Sequence, residues 1–281
     1  MLPKIVGYVQ DICCFGKCSM TLAIPALSAL GHTVVPLPTA VYSTHLGYEG
    51  HTKLDISKEL EGILAHYESM NLQFDAVISG FLSSPSEAEL VLRARGLLRR
   101  GGLAVTDPVL GDNGKAYGGA GGEMLSAARS LSAGADLITP NVTEACMLLG
   151  IPQEALVTDK MAREILESLK QRLNARAVVL TGCDIRKGFI STASLDENGA
   201  FDIHDEVKYG GRWHGCGDLF VSIVTGLLLR SRSLAYACAF ASSFLSRCVK
   251  LSEELNAVEA EGLAFEPLLG LLSAEIGGEN I

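Results

Sequence analysis

A chain of 281 residues, 48% of them hydrophobic, is long enough to bury a sizeable core, and 23 Lys and Arg against 32 Asp and Glu leave it a net charge of -9. That acidity speaks against a nucleic-acid or anionic-membrane partner, yet it leaves room for an anionic small molecule held by a local nest of N–H groups. No signal-peptide pattern opens the chain, no apolar run is long enough to span a bilayer, and the eight cysteines sit mostly in apolar segments, so a cytoplasmic protein with reduced thiols is expected.

Short β-branched runs alternate with longer helical patterns. Strands are expected at residues 5–9, 34–38, 76–81, 103–107, 137–139 and 178–181, with helices at 19–30, 56–69, 86–100, 122–131, 143–149 and 160–174. Nearly continuous apolar strands between helices indicate a mostly parallel sheet covered on both faces. Pro25 implies a kink or a late start in the first helix. Residues 188–195 and 201–207 read as a hairpin, 208–217 as loop, and 218–229 and 234–250 as apolar helices. With no linker and no repeat, residues 1–281 are expected to form a single three-layer α/β/α domain.

Three strings carry chemistry. In Gly215-Cys216-Gly217-Asp218, two glycines bare N–H groups at a helix N-terminus, a setting that binds phosphate. Alone, the string reads better as a helix start capped by Asp218, and the next two strings shift the balance. The second, Thr106-Asp107-Pro108-Val109-Leu110-Gly111-Asp112, ends a buried strand, where ligands bind in open α/β folds. The loop after it, 113–121, holds four glycines and Tyr117 and has the composition of a lid. The third, Thr139-Pro140-Asn141-Val142-Thr143-Glu144, is again a strand end and helix start, with Asn141 or Thr143 as cap and Glu144 in the first turn. Asp107, Asn141 and Glu144 are hard oxygen groups of the kind Mg2+ and its waters prefer.

Other signals are set aside. Cys13-Cys14-x-x-x-Cys18 lacks a second Cys or His pair at zinc spacing, Gly119–Gly122 does not follow a strand, and no Gly-Lys-Ser/Thr or Gly-x-Ser-x-Gly string is present. His51 and His214 read as polar loop residues.

In order and spacing, the three strings resemble those of the ribokinase-like superfamily, over nearly the whole chain. More narrowly, together with Pro38-Thr39-Ala40-Val41-Tyr42-Ser43-Thr44-His45, Ser79-Gly80-Phe81-Leu82-Ser83 and Val178-Val179-Leu180-Thr181-Gly182, they resemble the pyridoxal kinase branch. The resemblance implies a ribokinase-like fold and ATP-dependent phosphorylation of the 5'-hydroxymethyl of a B6 vitamer. Asp218 would be the base, and Gly215, Cys216 and Gly217 the anion hole. Asp107, Asn141 and Glu144 would organise Mg2+ and phosphates, with Tyr117, Thr181 and Gly182 along the nucleotide. Thr139 would meet a monovalent cation such as K+. Asp11, Thr39, Tyr42, His45 and Phe81 would face the substrate, and a homodimer is implied.

Two positions depart from the pattern. Asp11 stands where many relatives place a serine against the pyridine ring. Cys216 replaces a threonine, and a thiol at a helix N-terminus is expected to have a lowered pKa. A hydroxymethylpyrimidine kinase is the nearest alternative, although that branch has more glycine after its first strand than Asp11-Ile12-Cys13-Cys14-Phe15-Gly16-Lys17 supplies. A non-catalytic B6-binding sensor of the same fold is the other.

Overall fold

In the computed structural model, which describes residues 2–153 and 158–276, strands and helices alternate along the chain. The order begins β1 (Ile5–Phe15), α1 (Met20–Ala29), β2 (Thr33–Thr44), β3 (Lys53–Asp55), α2 (Ser57–Ser69), β4 (Phe74–Ser79), α3 (Glu87–Arg95) and β5 (Leu98–Thr106). A small hairpin, β6 (Gly111–Asp112) with β7 (Lys115–Ala116), precedes α4 (Gly122–Ser132), β8 (Leu137–Ile138), α5 (Val142–Leu149), α6 (Asp159–Leu173) and β9 (Ala177–Cys183). An antiparallel pair follows, β10 (Phe189–Leu195) and β11 (Phe201–Val207), then α7 (Cys216–Leu229), α8 (Leu234–Glu254) and α9 (Leu269–Ala274).

Nine strands form one sheet in the order β11-β10-β9-β8-β5-β4-β1-β2-β3. The pairs from β2 across to β9 are parallel, and antiparallel partners close both edges. Alternation along each strand assigns the two faces. In β1, Val6 and Tyr8 pack with α1, α7 and α8, while Val9 packs with α2 and α3. In β4, Ala76 and Ile78 take the first face and Phe74 and Val77 the second. In β9, Val179 takes the first, and Val178 and Leu180 pack under α5 and α6. Helices on both faces of a mixed, mostly parallel sheet make a three-layer α/β/α fold.

The local departures have physical causes. The helix expected at 86–100 stops at Arg95. Leu98 then pairs with Phe74 and the Arg99 guanidinium reaches Asp75 at 3.2 Å, so tertiary pairing overrides the helical preference of the arginines. The first helix starts at Met20 with Pro25 inside it, so there is no late start. The short strands β3, β6 and β7 carry no periodic signal and were not expected.

Chain order reverses at β1, which has β4 on one side and β2 on the other. In open α/β sheets the crevice beyond the carboxyl ends at such a reversal is where ligands bind. Gln10-Asp11 sit at the irregularity of β1, just past its last pairing with β4 at Val9, and the ends of β4, β5, β8 and β9 carry Ser79-Gly80-Phe81, Thr106-Asp107, Thr139-Pro140-Asn141 and Thr181-Gly182.

Candidate active site at the strand ends

Gly215 has φ 82° and starts α7. A Cβ there would stand 2.1 Å from Leu22 Cδ1 and 2.6 Å from the Lys17 carbonyl oxygen, so the turn requires glycine for both shape and room. Asp218 follows in the first turn, half-buried, within reach of two donors from elsewhere in the chain. Gln10 Nε2 donates to Oδ1 at 2.7 Å and the Ser19 N–H donates to Oδ2 at 2.8 Å. Burial raises the Asp218 carboxyl above the usual carboxylate range, and these two bonds oppose the rise. Neither Gln10 nor Ser19 was singled out by the sequence. They come from the irregularity in the middle of β1 and the cap of α1, and only the register of the fold brings them to α7.

Asp107 lies against this turn, since a Cβ on Gly217 would meet its Oδ2 at 3.4 Å. Thr139 Oγ1 donates to Asp107 Oδ1 at 3.1 Å. Burial, reinforced by the charge of Asp218, pushes the Asp107 carboxyl up to about 7. Glu144 is also buried and raised, first by burial and then by the Asp107 charge. Its oxygens accept from the N–H groups of Leu110 at 3.1 Å and Asn141 at 2.8 Å. The Asn141 side chain accepts in turn from the Glu144 N–H at 3.0 Å, a reciprocal capping box that starts α5. Asn141 Nδ2 donates to the Gly111 carbonyl at 2.8 Å.

Asp107 repels both Asp218 and Glu144 beside a glycine turn, a setting that fits a divalent cation, and Asp107 Oδ2 is the oxygen that these bonds leave free. Among the described residues no cluster of three or more His, Cys, Asp or Glu forms a closed cage. Mg2+ at phosphates seldom uses one, because it keeps waters and takes one or two carboxylates.

On the β2 side, Tyr42 and Phe81 meet edge to face with centroids 6.4 Å apart. They line a cavity of about 190 Å3 with Leu82, Ser83, Val109 and Tyr117. Thr39 is buried nearby on β2, its hydroxyl without a partner among the described residues. Asp11 is buried and accepts from Ser19 Oγ at 2.7 Å. Burial pushes its carboxyl up to about 7, and the Ser19 bond opposes this. His45 is committed within the protein: Nδ1 accepts from the Gly47 N–H at 3.1 Å, Nε2 meets the Ala260 carbonyl at 2.7 Å, and its ring stacks on His214 at 3.9 Å. A larger cavity of about 430 Å3, between α8 and α9, contains none of these groups.

Tyr117 is exposed although it lines the smaller cavity, and toward the other side of the crevice Gly182 adopts φ 68° near the end of β9. The Thr181 N–H donates to the Pro140 carbonyl at 3.0 Å, which ties β9 to the Asn141 turn. Cys216 corrects one expectation. Burial, aided by the Asp218 charge, pushes its thiol up to about 12, so the helix terminus does not make it a thiolate. Its Sγ faces the Trp213 carbonyl at 3.3 Å.

The sequence and fold recur in proteins named as kinases. A family model described as phosphomethylpyrimidine kinase matches residues 24–262. The pyridoxal kinase of Lactobacillus plantarum superposes with a TM-score of 0.90 at 30% identity, covering 99% of each chain. A Bacteroides thetaiotaomicron protein, provisionally called a phosphomethylpyrimidine kinase and crystallised with pyridoxal, superposes with a TM-score of 0.91 at 32% identity, over 96% of each chain. The pyridoxal kinase PdxY of Deinococcus radiodurans is 29% identical over 98% of this chain and 97% of its own.

Proposed function

We propose that this chain, which belongs to the phosphomethylpyrimidine kinase family of small-molecule kinases, is a pyridoxal kinase that transfers the γ-phosphoryl of ATP to the 5'-hydroxymethyl of a B6 vitamer. The observation that carries the proposal is the seating of Asp218: a carboxylate held by Gln10 and Ser19 at the start of α7, next to a glycine turn and Asp107. Relatives 30% and 32% identical, one named for pyridoxal and one crystallised with it, support the vitamer.

Phosphoryl transfer through a loose transition state asks for positioning and charge stabilisation more than for a strong base. Asp218 accepts the hydroxymethyl proton as the bond to phosphorus forms, and its raised basicity suits that late acceptance. Gln10 and Ser19 fix both of its oxygens, so the carboxylate does not need to reorganise. The backbone N–H groups of Gly215, Cys216 and Gly217 face the phosphoryl oxygens, where fixed dipoles do most for developing charge. Asp107 would hold Mg2+ through Oδ2, with Glu144 contributing charge from behind the Asn141 turn. The cation, when bound, neutralises phosphate charge. Thr139 is the candidate for a K+ contact. Tyr117, Thr181 and Gly182 border the nucleotide, and Tyr42, Phe81, Thr39 and Asp11 surround the ring of the substrate.

The same proposal includes a single catalytic domain over residues 1–281, supported by one sheet shared by both halves of the chain. It also includes a homodimer and a cytoplasmic location. Among the described residues no helix is long and apolar enough to cross a membrane, and all eight cysteines are free thiols.

The family description favours one second reading, phosphorylation of a hydroxymethylpyrimidine. An ATP- and Mg2+-dependent assay across pyridoxal, pyridoxine, pyridoxamine and hydroxymethylpyrimidine decides between them. Turnover led by any vitamer supports the proposal, and turnover of the pyrimidine alone overturns it.

A further inference from the structure

Ser19 serves two different carboxylates. Its N–H donates to Asp218 Oδ2 at 2.8 Å and its hydroxyl donates to Asp11 Oδ1 at 2.7 Å. The residue is placed there against its local preferences. Its φ of 57° with ψ -138° is a conformation that residues with a side chain rarely adopt, and glycine would hold the same turn with less strain. It also occupies the N-cap of α1, where a serine hydroxyl ordinarily accepts from the helix, yet it makes no side-chain cap bond. The hydroxyl's short bond is the one to Asp11, with a longer contact of 3.6 Å to Cys18 Sγ beside it.

Asp11 needs such a donor. It is 5% exposed, and the charges of Asp218 and Glu87 act on it unfavourably. Of the contacts that favour its ionised form, the Ser19 hydroxyl is the strongest. With one oxygen engaged by Ser19, the other remains an acceptor, and an ionised carboxylate has no proton of its own to give.

We infer that Ser19 is a positioning residue for substrate recognition, acting through Asp11: its hydroxyl holds Asp11 as an acceptor for a ring N–H donor, a protonated heteroaromatic nitrogen, on the molecule being phosphorylated. The inference rests on the proposed function insofar as Asp11 faces the substrate ring. The division within the residue is specific. The hydroxyl acts on binding and the backbone N–H acts on the base.

A double-mutant cycle of Ser19→Gly and Asp11→Asn tests this, read as KM and kcat for the hydroxymethyl substrate at saturating ATP, with Kd by calorimetry alongside. Ser19→Gly removes the hydroxyl and keeps the N–H to Asp218. It is expected to raise KM about tenfold, as for loss of a hydrogen bond to a charged group, with kcat within about threefold of wild type. In the Asp11→Asn background the same change is expected to alter KM by less than about twofold. Ser19→Ala, which also lacks the hydroxyl, should match Ser19→Gly in KM. An unchanged KM, an effect that persists in full without the Asp11 carboxylate, or a loss confined to kcat overturns the inference. The cycle is run on whichever hydroxymethyl compound the chain turns over or binds. A preference for the pyrimidine would thus refute the vitamer reading while the cycle still decides the role of Ser19.

Discussion

Gln10 and Asp218 are 208 residues apart in the chain and meet through a 2.7 Å hydrogen bond from amide to carboxylate. The bond joins β1 to α7 and fixes one oxygen of the proposed base. Gln10 is 1% exposed, and its own Oε1 has no partner among the described residues. Its amide is therefore committed to Asp218 rather than shared among several groups.

Removing that donor has a predictable sign. The Gln10 bond holds the Asp218 carboxyl below the level that burial alone would set. Gln10→Leu keeps the volume and removes the bond, so the acid limb of the pH–kcat profile should move to higher pH, with kcat at neutral pH down about tenfold. An acid limb that stays in place would show that Gln10 does not tune the base.

Asp218→Asn removes the proton acceptor and keeps the shape. Turnover should fall at least about 100-fold, the lower end for a positioned general base. Calorimetry should still show vitamer binding within about threefold of wild type. Turnover retained at more than about a tenth of wild type would exclude Asp218 as the base.

Gly215→Ala tests the glycine turn. The new Cβ would need φ 82° and would press on the Lys17 carbonyl, a backbone atom that cannot rotate away. A cost of about 1–3 kcal/mol in stability is expected, read as a lowered thermal midpoint, with kcat falling further than substrate affinity because the anion hole is displaced.

How much of this site the sequence discloses depends on whether a residue acts through its own neighbours or through distant ones. Gly215, Gly217 and Asp218 are legible because a tight turn at a helix start leaves a local signature of small residues followed by an acid. Asp107 and Asn141 are legible because strand ends before helix starts are where an α/β sheet gathers its ligands. The same holds for the layers: Val6, Tyr8 and Val9 alternate between the two faces, and the apolar runs of β1, β4 and β9 show it. Ser19 looks like any serine before a helix, and its glycine-like conformation cannot be read from its type. Arg99 and Arg100 read as helix and lie in β5, because the pairing of Leu98 with Phe74 outweighs local preference. The Cys216 thiol misleads in the same way, since the burial that raises it comes from tertiary packing.

The buried Asp11 makes stability depend on pH. Its carboxyl moves from 3.8 to about 7 on folding, so between those values the folded chain binds the extra proton. Folding stability contributed by this group therefore falls as pH rises from about 4 to 7 and is level above. Asp11→Asn removes the dependence. Its stability relative to wild type, read from thermal midpoints, should rise across that window by at most about 4 kcal/mol. A midpoint difference that is flat from pH 4.5 to 8 would mean that Asp11 titrates normally.

The first turn of α5 has a consequence for how this fold can change over evolutionary time. Glu144 accepts from the Leu110 N–H, Asn141 donates to the Gly111 carbonyl, and the Thr143 hydroxyl accepts from the Gly114 N–H at 2.9 Å. One helical turn thus fastens the root of the flap that carries Tyr117. Its tip has room to grow, since a Cβ on Gly118 or Gly121 would meet nothing within 4 Å. Extra residues at the tip would leave the carboxylates beneath it undisturbed, whereas a single insertion between Leu110 and Gly114 would shift them all. The reach of the flap is free to diverge between relatives, and its foothold is not.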